Sequence, residues 1–148
     1  MKKWFVVLAM VPLYFTLGCG GGVDTTVVTG TVTLDGTPVE KALVNFTPEG
    51  GGGLPSYAHT KADGTFALQT PQGEVGGGTT PGTYVVTVTK NIPTPTGAKR
   101  KNSSGVEEDV MENKNEIPEI YAIPKTSPLK ETVVAGQENN FKLELTSK

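Results

Sequence analysis

The stretch Val28-Thr29-Gly30-Thr31-Val32-Thr33-Leu34-Asp35-Gly36-Thr37-Pro38-Val39-Glu40-Lys41-Ala42-Leu43-Val44-Asn45-Phe46-Thr47 carries two strands and the turn between them. Val28, Gly30, Val32 and Leu34 alternate with Thr29, Thr31 and Thr33, the period of two that sets one side of a strand against a core. Asp35-Gly36 is a tight-turn signal, extended by Thr37-Pro38. Ala42, Val44 and Phe46 then share one face, and Leu43, Asn45 and Thr47 the other.

The same grammar continues outward from this unit. A Gly-rich loop over 49–55 leads to a third strand over 57–61. Ala62-Asp63-Gly64 forms a tight hairpin into a fourth strand over 65–70, with Phe66 and Leu68 pointing inward. A second Gly-rich loop spans 71–80. Gly82-Thr83-Tyr84 then opens a strand with Tyr84, Val86 and Val88 on one face. Residues 91–116 show no sustained period. Strands over 129–134 and 141–145, split by Ala135-Gly136, close the domain, and Phe141, Leu143 and Leu145 alternate with Lys142, Glu144 and Thr146. About seven short strands between turn signals, with no apolar stripe of helical period, predict an all-β chain folded as a single Ig-like β-sandwich.

Composition agrees. The chain has 148 residues, enough for one domain plus a processing segment, and its 19 Gly and 11 Pro suit many turns. Thr and Val fill the apolar runs because β-branching favours extended backbone. Without Lys2 and Lys3 the 13 Lys+Arg fall to 11 against 15 Asp+Glu, so a processed form carries about −4 and no basic footprint for nucleic acid.

Lys2 and Lys3 precede an apolar run from Trp4 to Leu17, interrupted by Pro12. That run is signal-peptide length and short of the roughly twenty residues that span a bilayer. The single cysteine, Cys19, excludes an internal disulfide and follows Gly18 at the end of the run. Phe15-Thr16-Leu17-Gly18-Cys19 resembles a lipobox, the sequence read by bacterial lipoprotein-processing enzymes, with Thr16 where leucine is usual. The resemblance implies diacylglycerol on the Cys19 thiol, cleavage before it, and an anchor of several acyl chains. Two or more such chains hold stably. Gly20 stands where an aspartate signals inner-membrane retention in some bacteria, so the resemblance favours the outer membrane or cell surface, with a periplasm-facing orientation as the other placement.

The blocks "VTGTVTLDGTPVEKALVNFTPEG", "ADGTFAL" and "PGTYVVTV" resemble the carboxypeptidase regulatory-like, or transthyretin-like, sandwich domain. Followed by "IPEIYAIPKTSPL" and "NNFKLEL", they are similar to a group of small bacterial lipoproteins. The likeness covers nearly all of the chain after Cys19. It departs at Ile120 and Ile123, where the pattern usually carries a basic residue and an acid or amide. The implied plan is a lipoprotein signal peptide over 1–18, lipidated Cys19 with a Gly-rich tether over 19–26, and the sandwich over 27–148, with an insert around 91–116 expected to be flexible.

Catalytic chemistry finds few residues to work with. Hydrolases of a uric-acid breakdown product on transthyretin-like folds use several His and Arg, whereas this chain has His59 and Arg100 alone. His59 should point away from the core between Ala58 and Thr60, without a cysteine partner or an orienting acid nearby in sequence. Zinc or copper wants several His or Cys ligands. The acids Glu107, Glu108, Asp109, Glu112 and Glu116 lack calcium-loop spacing and read as a solvated loop or one loose helical turn. Lys99-Arg100-Lys101 is offset by those acids. Related adhesin sandwiches join Lys to Asn by an isopeptide bond beside a buried acid; Lys41, Asn139 or Asn140, and Glu131 are the residues it would recruit, but Lys41 lies after the first strand rather than within it, which argues against the bond. The expectation is a non-enzymatic envelope lipoprotein without cofactor or metal, contacting the membrane through Cys19 and an envelope protein or glycan through its loops. The alternative is a carbohydrate-, peptide- or calcium-binding module, and an enzyme ranks last.

Overall fold

A computed structural model describes residues 24–71, 73 and 75–148; the expected signal peptide over 1–18 and Cys19 lie outside the described residues. The elements run β1 (Val28–Leu34), β2 (Thr37–Pro38), β3 (Leu43–Pro48), β4 (Ser56–His59), β5 (Thr65–Ala67), β6 (Gly82–Thr89), β7 (Asn91–Lys101), β8 (Glu107–Asn115), α1 (Glu119–Ala122), β9 (Lys130–Val133) and β10 (Asn139–Leu145). Among the described residues the fold is all-β, a β-sandwich with one short α-helix, α1, and a 3-10 turn over Glu49–Gly51.

In the first sheet β1 is central. β10 runs parallel to it along its whole length, from Val28↔Asn139 to Leu34↔Leu145. On its other side β5 pairs over Thr29–Thr31 and β2 over Thr33 and Leu34, both antiparallel. The second sheet is antiparallel throughout, in the order β4-β3-β6-β9. The Asp35-Gly36 turn links β1 and β2 with φ of 50° and 80°, the left-handed pair that a two-residue hairpin needs. The exposed Asp35 carboxyl is held below the usual carboxylate range by hydrogen bonds from the Ser147 hydroxyl and backbone N–H.

Alternation sorts each strand into a wet and a dry side. Val28, Val32, Leu143, Leu145 and Phe66 of the first sheet meet Val44, Phe46, Ala58, Tyr84, Val86, Val88 and Val133 of the second in one buried cluster. Phe46 is its hub, with ring centroids 5.9 Å from Tyr84, 6.0 Å from Phe141 and 6.3 Å from Phe66. Gly30 holds the inward position beneath Phe66, where a Cβ would lie 2.6 Å from the ring. The inward assignments made from sequence for Phe66, Leu68, Tyr84, Val86 and Val88 agree with their burial.

All seven expected strands are present, and two features exceed them. Thr37-Pro38 is paired rather than loose. The insert around 91–116, its acids from Glu107 to Glu116 expected in a solvated loop or one loose helical turn, instead forms an antiparallel hairpin, β7–β8, that pairs with neither sheet. No residue of either hairpin strand is buried. With neither face dry, selection for a two-residue apolar period is absent, and the sequence carries none.

Candidate interaction surface

The sandwich has two distinct ends. At the first, Thr26 exchanges backbone hydrogen bonds with Thr79 (2.7 and 3.0 Å), β1 and β10 begin, and Gly82 pairs with Val133. At the second lie the Asp35-Gly36 turn, the β10 end and the root of the β7–β8 arm, since Leu34 and Asp35 line one cleft with Lys90 and Glu116. The arm therefore leaves the end opposite the entering N-terminal segment.

Its root is tied down. The Asn115 side-chain oxygen accepts from the backbone N–H of Lys90 (2.8 Å) and of Ile117 (3.2 Å), while the Lys90 ammonium meets Glu116 at 2.9 Å. Ile117 is buried in the core just beyond, so the arm is levered from a fixed point. Toward the tip, Lys99, Arg100 and Lys101 stand directly opposite Asp109, Glu108 and Glu107, and Arg100 Nε donates to Glu108 at 3.0 Å. The basic cluster and the acidic run, offset only along the sequence, are thus a cross-strand ladder of opposite charges.

An open groove of about 730 Å³ runs beside the root, with Asn91, Asn115, Ile117, Pro118 and Ile123 among its walls. The segment "IPEIYAIPKTSPL" forms part of it and acts as a clasp. Ile117 and Tyr121 are buried, and the Tyr121 hydroxyl meets Thr146 through its hydroxyl (3.3 Å) and backbone N–H (3.2 Å). The Ser127 hydroxyl donates to Val86 O and accepts from Leu129 N–H, extending the β9 edge along β6. Ile120 and Ile123, the two departures from the family pattern, are 50% and 39% exposed.

The remaining candidates are dispersed. His59 is exposed on β4 opposite Leu43, with Ala58 and Thr60 buried on either side. The acids of β8 alternate between its two faces, with Glu108 paired to Arg100, and Glu116 just past the strand pairs with Lys90. Among the described residues no group of three or more His, Cys, Asp or Glu comes together as a metal site. The isopeptide arrangement is contradicted. The Lys41 side chain is 81% exposed at the start of β3 and pairs with Glu40. Asn139 lies at the opposite end, its amide donating to Val134 O and Gln137 O while its oxygen accepts from Val134 N–H. Glu131 does face inward, beside Val133, and burial raises its pKa above the usual carboxylate value.

One buried polar cluster escapes sequence reasoning. The Tyr84 hydroxyl meets Thr79 Oγ1 (3.1 Å), Thr80 Oγ1 (2.8 Å) and Thr80 O (2.8 Å), and the Ser56 hydroxyl joins through Thr79. The available signal was Tyr84 itself, because an inward tyrosine needs partners for its hydroxyl.

No protein-family model and no curated protein matches the chain. Among solved structures it is similar to a 9R-lipoxygenase from Cyanothece PCC8801, at 13% identity and a TM-score of 0.38. The likeness covers 82% of this chain and 16% of the lipoxygenase chain. Among the described residues no helix is long and apolar enough to cross a membrane.

Proposed function

We propose that this protein is a bacterial lipoprotein, held on a membrane by lipid on Cys19, whose carboxypeptidase regulatory-like sandwich is a non-catalytic interaction module of the cell envelope. The observation that carries the reading is axial. Asp24, close behind Cys19 in sequence, precedes the end where β1 begins, and the β7–β8 arm leaves the other end. A tether of a few residues reaches at most about 25 Å. A domain so placed would sit close to its membrane with the arm directed away from it, and loops and arms on a rigid sheet are where contacts concentrate. By its lack of an aspartate at Gly20, the chain is assigned to the outer membrane or cell surface.

Intact-mass analysis of protein extracted from bacterial membranes tests the anchor, with Cys19→Ala as control. The expected species begins at Cys19 and carries acyl mass, and in Cys19→Ala both the acyl mass and the cut before residue 19 are lost. A lipid-free chain unaffected by that substitution overturns the proposal.

A further inference from the structure

The two edges of the arm are built differently. At its root Glu116 N–H donates to Lys90 O, and at its tip Asn102 N–H donates to Val106 O, both at 2.9 Å. Hydrogen-bonded and non-bonded pairs alternate along an antiparallel ladder. Counting from either anchor, Glu107, Asp109, Met111 and Asn113 on β8 turn their backbone N–H and C=O outward, as do Asn91, Pro93 and Pro95 on β7. The two counts on β8 meet in phase. On β7 Lys99 and Lys101 also turn outward, but two extra residues between Pro95 and Lys99 interrupt the edge there.

Exposed edges invite strand pairing, and proteins blunt them with proline, bulges or charge. β7 has two prolines among its three outward root positions, each without an N–H, and an irregularity just beyond. β8 has neither. Its protection is charge of nearly one sign: Glu108 is held by Arg100, while Glu107, Asp109 and Glu112 make no ion pair among the described residues, and Lys114 is the one cation of the strand. Such an edge repels an acidic strand, including β8 of a second copy, and attracts a basic one. The cationic cluster of a second copy, Lys99–Lys101, lies on β7, whose edge is interrupted just before it by Pro93, Pro95 and the two extra residues.

We infer that the outer edge of β8 is a strand-addition site for an extended, basic segment of a partner protein. Backbone hydrogen bonds to residues 107–113 supply the pairing, and the acidic side chains select the sequence. The inference names the partner class of the arm proposed above and rests on that reading.

The test is fluorescence anisotropy with the full chain in detergent micelles. The probe is a labelled alternating Lys-Thr peptide as long as β8, compared with the same peptide N-methylated at its central consecutive residues. Saturable binding of the first is expected, with at least about tenfold weaker binding of the second, a difference of roughly 1.4 kcal/mol. The double variant Met111→Pro, Asn113→Pro, which leaves the inward ladder positions intact, should lose binding to the same degree at unchanged melting temperature. Equal affinity for both peptides would reduce the site to charge attraction and overturn the inference. So would failure of the unmethylated peptide to bind, or self-association of the protein abolished by the double variant. None of these outcomes bears on the acyl mass at Cys19, so the anchor stands or falls separately.

Discussion

The hydroxyl of Tyr84 donates to the carbonyl oxygen of Thr80, four residues upstream, at 2.8 Å, and both residues are buried. The bond turns the end of the 71–81 loop back onto the first residues of β6, while Thr79 and Thr80 reach the other Gly-rich loop through Leu54 O and Leu54 N–H. One hydroxyl therefore braces two loops that have little apolar surface of their own. Tyr84→Phe keeps the ring against Phe46 and removes the brace. The expected loss is about 1–3 kcal/mol, the range for a buried polar group deprived of a partner, read as a lower urea midpoint with an unchanged slope. A variant as stable as the parent would show the cluster to be idle.

Gly30 supports a second prediction. Any side chain there meets the Phe66 ring and the Phe141 carbonyl from inside the sandwich. Gly30→Val, although it improves strand propensity, should cost about 1–3 kcal/mol by overpacking. Thermal unfolding decides, and a raised melting temperature would mean the aromatic cluster yields freely.

Glu131 gives a pH dependence. Burial raises its folded-state pKa above the ordinary carboxylate value, so between the two values the folded protein retains a proton that the unfolded chain releases. Stability attributable to this group is full below the unfolded pKa and falls as pH rises through the folded one. Glu131→Gln removes the penalty. The variant should melt higher than the parent at pH 7, with the gap closing below about pH 4, where the parent carboxyl is also neutral. A pH-independent gap would assign the effect to packing instead.

The arm should be dispensable for folding. None of the residues 99–112 is buried, and the clasp at Asn115, Lys90 and Glu116 lies outside that span. Excising 99–112 is expected to change stability by less than about 0.5 kcal/mol, or about 3 °C in Tm. Collapse of the melting transition would make the arm part of the sandwich.

How much of this was legible depends on which faces are dry. β1, β3, β6 and β10 each bury one side, so Val32, Phe46, Val86 and Leu143 announce themselves by alternation. β7 and β8 bury neither side, and charges at Lys99–Lys101 and Glu107–Asp109 read as a solvated run because their pairing exists only after the chain folds back. The clasp was visible as a family-like string, yet the uses of Tyr121 and Ser127 depend on Thr146 and Val86, far away in sequence. Lys41 already stood out of place for an isopeptide bond, after the first strand rather than within it, and the registers set it at the opposite end from Asn139.

The parallel pairing of β1 with β10 sets the order of assembly. β1 is the centre of its sheet, and its full-length neighbour lies more than a hundred residues later, with Thr29 touching Asn140 across a separation of 111. Closing so long a loop is entropically costly and slow, because no local contact rewards the intermediate steps. A chain emerging from its N-terminus can pair β3 with β4 and β6 as they appear, but Val28 and Val32 remain uncovered on one side until β10 arrives. The sheet therefore stays open from the appearance of β1 until that of β10. That is the condition in which a polypeptide can still be threaded through a narrow pore, and closure comes as a single late event.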